Sequence, residues 1–104
     1  MKTWEIWTWE GHPVVLVSNQ RRIERKQKVV VLKCQTLYAG DAPAGEFEAM
    51  LGVEDGLERS TLCTCDLFFT ARKSEISQKR GAVCYERQRD ISRKMIQGLA
   101  VAGL

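Results

Sequence analysis

Residues 13–34 read PVVLVSNQRRIERKQKVVVLKC, two nearly unbroken apolar runs around a polar, basic connection. The runs, 14–18 and 29–34, are too short for buried helices. Rich in Val, Leu and Ile-type side chains, they fit strands covered on both faces. Asn19 to Lys28 joins them, with room for one short helical turn around Ile23. If the connection is a simple hairpin, the start of the first strand and the end of the second lie at one rim of the sheet.

The flanking sequence continues the strand pattern. Residues 4–9, WEIWTW, alternate: Trp4, Ile6 and Thr8 point one way, Glu5, Trp7 and Trp9 the other. Gly11 and Pro13 mark the turn that follows. Tyr38 to Gly45, with Gly40, Asp41, Pro43 and Gly45, reads as a loop. Residues 46–51, EFEAML, alternate again and set Phe47, Ala49 and Leu51 on one face. Gly52 to Gly56 is a turn. Residues 61–70, TLCTCDLFFT, form one strand or two, kinked near Asp66. Residues 73–77 suit a helical turn, and 81–83 a last short strand. At Tyr85 the period changes. Ile91, Met95 and Leu99 recur four residues apart, with Ile96 beside them, while Arg87, Arg89, Arg93 and Lys94 take other faces. The pattern predicts one amphipathic helix from Tyr85 to Gly98, with Gly98 as its terminator. Five or more short strands with frequent turn signals imply a barrel or a sandwich, and the helix would cap it.

Composition sets bounds on this reading. The chain has 104 residues, 44% hydrophobic and 28% charged, which suits one globular domain spanning 1–104. No apolar run is long enough to cross a bilayer. The opening MKTWEIWTWE carries acids where a secretory signal is apolar, so a cytoplasmic protein with reduced thiols at Cys34, Cys63, Cys65 and Cys84 is expected. Cys63-x-Cys65 places two sulfurs on one strand face. The spacing lacks the usual paired C-x2-C pattern of a zinc site, so no metal is expected and buried thiols are the default. The net charge of +3, from 16 basic and 13 acidic residues, suits a polyanion without demanding one. Arg21, Arg22, Arg25, Lys26 and Lys28 form one basic cluster, and Arg72, Lys73, Lys79 and Arg80 a second. Either is a solvated surface unless the fold brings it to a phosphate.

The ordered series resembles the MazF/PemK toxin family along almost the whole chain. Glu5-Ile6-Trp7 is similar to the family's opening strand. Gly11-His12-Pro13-Val14-Val15-Leu16-Val17-Ser18-Asn19 resembles its loop, Pro and apolar strand. Val31-Leu32-Lys33-Cys34-Gln35-Thr36 resembles its third strand. Further likenesses lie at Phe47 to Leu51, Asp55-Gly56-Leu57, Thr61 to Asp66, Lys73 to Ile76 and Arg80 to Val83. The resemblance implies a mainly β (α+β) chain, an SH3-like β-barrel of five to seven strands with a C-terminal α-helix. It also implies a homodimer and a toxin that cleaves single-stranded RNA without a metal or other cofactor. Its partner would be a cognate antitoxin with an acidic tail, which suits the basic clusters.

The same resemblance assigns site residues and shows where this chain departs from the family. The family's catalytic Arg precedes the Pro of the second strand, where this chain has His12, its single histidine. A lone loop histidine is usually an ordinary surface residue; at this position it is the candidate proton carrier. It is poorer than Arg at holding phosphate charge. The family's catalytic Thr or Ser follows the Cys of the third strand, where this chain has Gln35, then Thr36. Gln35 hydrogen-bonds but does not titrate. Thr36 would take the role if the strand end bulges. Ser18, Asn19, Arg21, Arg22, Arg25 and Lys33 are the candidates for RNA contacts, and Trp7 and Trp9 either stack on bases or belong to the core or a dimer seam. The expected groove lies between the His12 loop, the Arg21–Lys28 connection and Gln35-Thr36. Three functions compete: an endoribonuclease toxin, a catalytically degenerate RNA- or protein-binding module of the same fold, and a toxin that poisons a protein target such as a topoisomerase.

Overall fold

The structure, a computed structural model, describes residues 1–38 and 44–99. Its elements are β1 (Glu5–Trp9), β2 (His12–Leu16), α1 (Gln20–Arg25), β3 (Lys28–Thr36), β4 (Glu48–Leu51), a 3-10 turn (Val53–Asp55), β5 (Thr61–Arg72), a second 3-10 turn (Lys73–Glu75), β6 (Ser77–Ala82) and α2 (Tyr85–Gly98). The six strands form one antiparallel sheet in the order β4-β5-β3-β2-β1-β6. The sheet curls into a half-barrel, and α2 packs on β4 and β5. The chain is therefore α+β with a dominant curled sheet. The expected loop from Tyr38 to Gly45 lies mostly outside the described residues.

Both faces of the central strands are covered, as the apolar runs require. Val14, Val15 and Leu16 have no exposed surface, nor do Val29, Val31 and Leu32. Ile6, Val15, Leu32, Cys34, Ala49, Leu51 and Cys63 make an inner layer, sealed by Leu57, Val83 and Ile91. Val14, Leu16, Val29, Val31, Trp9 and Ala71 make an outer layer, covered by Ile23 of α1 and by Ile76. Full burial of such side chains stabilises by about 1.5–3 kcal/mol each.

Local chemistry sets the connections. Glu10 and Gly11 both have positive φ, 52° and 77°, and Trp9 pairs with His12. This is a two-residue hairpin turn of the kind that matches strand twist. Pro13 is thus not a turn residue. It sits inside β2 opposite Thr8, near the strand's start, where a missing N–H costs least. In β5, Phe68 pairs with Leu32 but Cys63 pairs with Cys34, so on the β3 side residues 64–67 have only Lys33 opposite them, while Thr64 pairs with Glu48 on the other. That irregularity is the kink near Asp66, and it lets one long strand serve both β3 and β4.

The helix spans Tyr85–Gly98, as its periodicity predicts, but its last turn packs differently. Ile91 is fully buried and Met95 packs against the inner layer, whereas Ile96 and Leu99 are 71% and 57% exposed. The inward stripe thus ends at Met95, and the i+8 position stays at the surface. Nor does Gly98 end the helix through a left-handed backbone. A Cβ there would lie 2.4 Å from Cβ of Asp66, so glycine is needed for close approach to the β5 kink. At its other end α2 is clamped by Arg87. Its Nε lies 3.0 Å from Oδ2 of the buried Asp55, and its Nη1 donates to the Met50 carbonyl.

Candidate active site

The β2–β3 ladder pairs Val14 with Lys33 and Leu16 with Val31. The pairing ends at Val14–Lys33; by side-chain alternation His12 and Gln35, each two residues further on, belong to that same outer face. Both are exposed, and neither side chain has a hydrogen-bond partner among the described residues. On one face at the same rim, an imidazole and an amide can act on one ligand.

Lys33 joins them on the outer face. Its ammonium lies 5.2 Å from the ring centre of Trp9 and 4.8 Å from that of Phe69, and 3.3 Å from Oε2 of Glu10. The two rings hold the cation, and Trp9 is the cross-strand partner of His12. Trp9 itself is only 8% exposed and belongs to the outer layer, so it offers no face to a base. Trp7 is half-buried there, its Nε1 donating to Oε1 of Glu5 at 3.2 Å.

Thr36 does not share this face. Cys34, Gln35 and Thr36 pair with Cys63, Leu62 and Thr61 in regular register, so no bulge turns Thr36 toward Gln35. Instead it lines a cleft of about 430 Å³ on the other side of β3, together with Arg59, Thr61, Gln78, Lys79 and Arg80. Glu58 is the cleft's one carboxylate among its lining residues. The Arg59 guanidinium lies 5.4 Å from the ring centre of Tyr38, and Arg80 Nε donates to Oγ1 of Thr8 at 2.9 Å. Lys79 pairs with Glu5 at 2.7 Å. Burial works to raise the pKa of Glu5. Lys79, the Lys2 amide and the Trp7 indole outweigh it and hold the carboxyl below its ordinary value.

One wall of the cleft depends on a glycine. A Cβ on Gly81 would lie 2.1 Å from the carbonyl oxygen of Asp55, so only glycine lets β6 press against the Val53–Gly56 turn. The turn is fixed in its place by Asp55, which accepts from the amides of Gly52 and Cys84, both at 2.9 Å, and faces Arg87. Arg59, Thr61 and the Asp55–Arg87 clamp carry no signal in the sequence. Only the fold brings them beside Lys79 and Arg80.

The expected groove is not a single one. His12, Gln35 and Lys33 come together, and Thr36 lies just across the strand at the same rim. Ser18, Asn19, Arg21, Arg22 and Arg25 stand at the opposite end of the β2–β3 pair, about 20 Å along the strands at about 3.3 Å per residue. The connection crosses at the far rim because a hairpin joins the end of one strand to the start of the next. Ser18 is buried, its Oγ accepting from the Val30 amide at 2.7 Å, and Asn19 caps α1 by accepting from the Arg22 amide at 2.9 Å. Arg22 Nε donates to the Lys28 carbonyl at 3.1 Å, while Arg21 and Arg25 are exposed.

The cysteines lie in the interior. Cys34, Cys63 and Cys65 gather in the inner layer, with Cys65 Sγ donating to the Cys63 carbonyl at 3.6 Å. Hydrogen bonding to Cys34, then burial, pushes the Cys63 thiol up, and hydrogen bonding to Cys63 together with burial does the same for Cys65. Both stay neutral thiols. Cys84 stands apart at the N-cap of α2.

No protein-family model and no curated protein matches the chain. Solved structures do match in fold. An endoribonuclease from a mycobacterial species aligns with a TM-score of 0.83 at 18% identity, covering 100% of this chain and 95% of that one. A mycobacterial endoribonuclease in complex with its cognate antitoxin gives 0.78 at 18% identity, covering 95% and 92%. A MazE-MazF complex from Deinococcus radiodurans gives 0.73 at 11% identity, covering 93% of each. The protein is thus a curled, six-stranded antiparallel half-barrel with a C-terminal helix. That architecture is the MazF-like toxin fold. Among the described residues, no helix is long and apolar enough to cross a membrane.

Proposed function

We propose that the protein is an endoribonuclease toxin that cleaves single-stranded RNA at the outer face of the β2–β3 rim. The observation that carries this reading is the convergence of His12, Gln35 and the Lys33 ammonium on one exposed face of a toxin-fold barrel. Cleavage at this face is a transfer within the RNA. The imidazole of His12 takes the proton of a 2′-hydroxyl, the 2′-oxygen bonds to the adjacent phosphorus, and the bond to the 5′-oxygen breaks. The imidazolium then returns a proton to that leaving oxygen. Gln35 donates its amide N–H to a phosphoryl oxygen, and Lys33, on exchanging Glu10 for the phosphate, offsets the charge that develops there. The products are a 2′,3′-cyclic phosphate and a 5′-hydroxyl.

The structural neighbours include a mycobacterial endoribonuclease with its cognate antitoxin and MazE-MazF complexes. By extension the partner here is a cognate antitoxin whose acidic segment covers the basic rim, and the active unit is a homodimer. A binding module without catalysis is the second reading. It is favoured by Gln35, a group that cannot titrate, where the resemblance places Thr or Ser.

The test is incubation of single-stranded RNA with the protein in the presence of a chelator, with end-group analysis of the fragments. Cyclic phosphate termini lost in His12→Ala support the nuclease. Intact RNA that nevertheless binds supports the module. A sedimentation run at tens of micromolar reads the dimer directly, and a monomer there would remove it.

A further inference from the structure

The cleft on the inner side of β3 has no role in the chemistry above, yet its construction is specific. Arg59 and Arg80 line it and have no carboxylate partner among the described residues, whereas the third cation, Lys79, is compensated by Glu5. Both guanidinium groups are held in position. The Tyr38 ring steadies Arg59 and the Thr8 hydroxyl steadies Arg80. The hydroxyl of Thr36 and the amide of Gln78 supply further hydrogen-bonding groups, while the buried Thr61 hydroxyl donates to the Arg59 carbonyl at 3.0 Å and fixes that backbone. Guanidinium forks set among hydroxyls are the usual chemistry of phosphate capture.

Position adds the second argument. Thr36 follows Gln35 on β3, and Thr8, which holds Arg80, lies opposite Pro13, the neighbour of His12. The cleft and the His12–Gln35 pair therefore share one rim, on opposite sides of the sheet. An extended polyanion crossing that rim meets both.

We infer that the cleft is a phosphate-binding track for the RNA strand flanking the cleaved bond, with Arg59 and Arg80 each contacting one backbone phosphate. The inference rests on the nuclease reading and extends it to where the substrate runs. Because phosphates carry no base information, the track would add affinity without sequence preference. Each contact on a single strand contributes about 0.7 to the slope of log affinity against log salt.

The experiment uses a fluorescent eight-nucleotide 2′-O-methyl RNA, which binds without being cut, titrated against the full chain over a range of salt. Inorganic phosphate and a polyglutamate peptide serve as separate probes. The Arg59→Gln, Arg80→Gln double variant should bind the octamer about tenfold more weakly, with its salt slope smaller by about 1.4. Glu58→Lys, which replaces the one opposing carboxylate, should bind more tightly with a steeper slope, a gain that misfolding does not mimic. If wild type and double variant bind the octamer alike, the track is overturned while the nuclease reading stands. If the octamer does not bind wild type at all, the nuclease reading falls and the track with it. Loss of phosphate or polyglutamate binding in the double variant would then reassign the cleft to a small anion or to an acidic protein segment.

Discussion

The two ends of the β2–β3 pair are both rich in polar side chains, and they use them in opposite ways. At the α1 end the polar groups that join helix to strands serve the fold. Asn19 caps the helix, Ser18 ties β2 to β3, Arg22 holds the Lys28 carbonyl, and Lys73 Nζ donates to the Ile23 carbonyl at 2.6 Å. At the far rim His12 and Gln35 are exposed without hydrogen-bond partners among the described residues, and Arg59 and Arg80 face a cleft. The denser run of positive charge in the sequence is at the first end. The imidazole, the amide and the cleft guanidinium groups are at the second, while Arg21 and Arg25 stay exposed at the first. Charge counted along a chain measures how much is present, not which of it shares a rim with other groups able to hold a ligand.

The sharpest way to break this comparison is kinetic. His12→Ala should lower the cleavage rate by about two to four orders of magnitude, the range lost with a positioned proton carrier. The Arg21→Ala, Arg25→Ala double variant should cleave within about twofold of wild type at moderate salt, since both lie about 20 Å away, beyond a Debye length of about 10 Å. Should the double variant be dead and His12→Ala active, the ends have been assigned the wrong way round.

The stability consequences should run in reverse. Ile23, 3% exposed, is the side chain by which α1 seals the outer layer. Ile23→Ala should cost about 2–5 kcal/mol in a denaturant titration, whereas Gln35→Ala at the exposed rim should shift the midpoint hardly at all. Asn19→Ala removes one cap bond and should cost about 1 kcal/mol, with cleavage unchanged while the protein stays folded. A Gln35→Ala variant as unstable as Ile23→Ala would mean that the rim is structural too.

Much of this fold was legible in the sequence, because much of it is local. The apolar runs around Val15 and Val31 announce strands covered on both sides, and the shift of period near Tyr85 marks where α2 begins. The kink near Asp66 shows where two apolar segments of β5 meet. Features that depend on long-range geometry were not legible. Whether Thr36 faces Gln35 or the opposite side depends on the register of β3 against β5. Leu99 fits the helical stripe, but only tertiary packing decides whether it is covered, and it is not. Gly81 and Gly98 look like ordinary punctuation; their reasons are the Asp55 carbonyl and the Asp66 side chain, each distant in sequence. Half of the candidate site, His12 with Gln35, follows from pairing two neighbouring strands. The cleft half needs β6 and the Arg59 loop, which no nearest-neighbour pattern brings together.

The smallest expected effect tests the comparison within the cleft itself. Lys79 and Arg59 are both cations lining it, but Lys79 is paired with Glu5 and Arg59 is not paired with any carboxylate among the described residues. Lys79→Met should therefore weaken octamer binding less than Arg59→Gln does. Its stability cost should also be small, under about 1 kcal/mol at neutral pH, because the ammonium is half exposed. That cost has a defined pH dependence. The folded-state pKa of Glu5 lies below its ordinary value, so the pair's contribution is fully present above the ordinary carboxylate range. It is lost as pH falls through the depressed folded value, where the carboxylate takes up its proton. Melting curves of wild type and Lys79→Met should thus separate at pH 7 and converge in acid. A separation that persists after Glu5 is protonated would mean that Lys79 acts through packing of its stem rather than through its charge. The division of the cleft into a compensated and an uncompensated cation would then have to be redrawn.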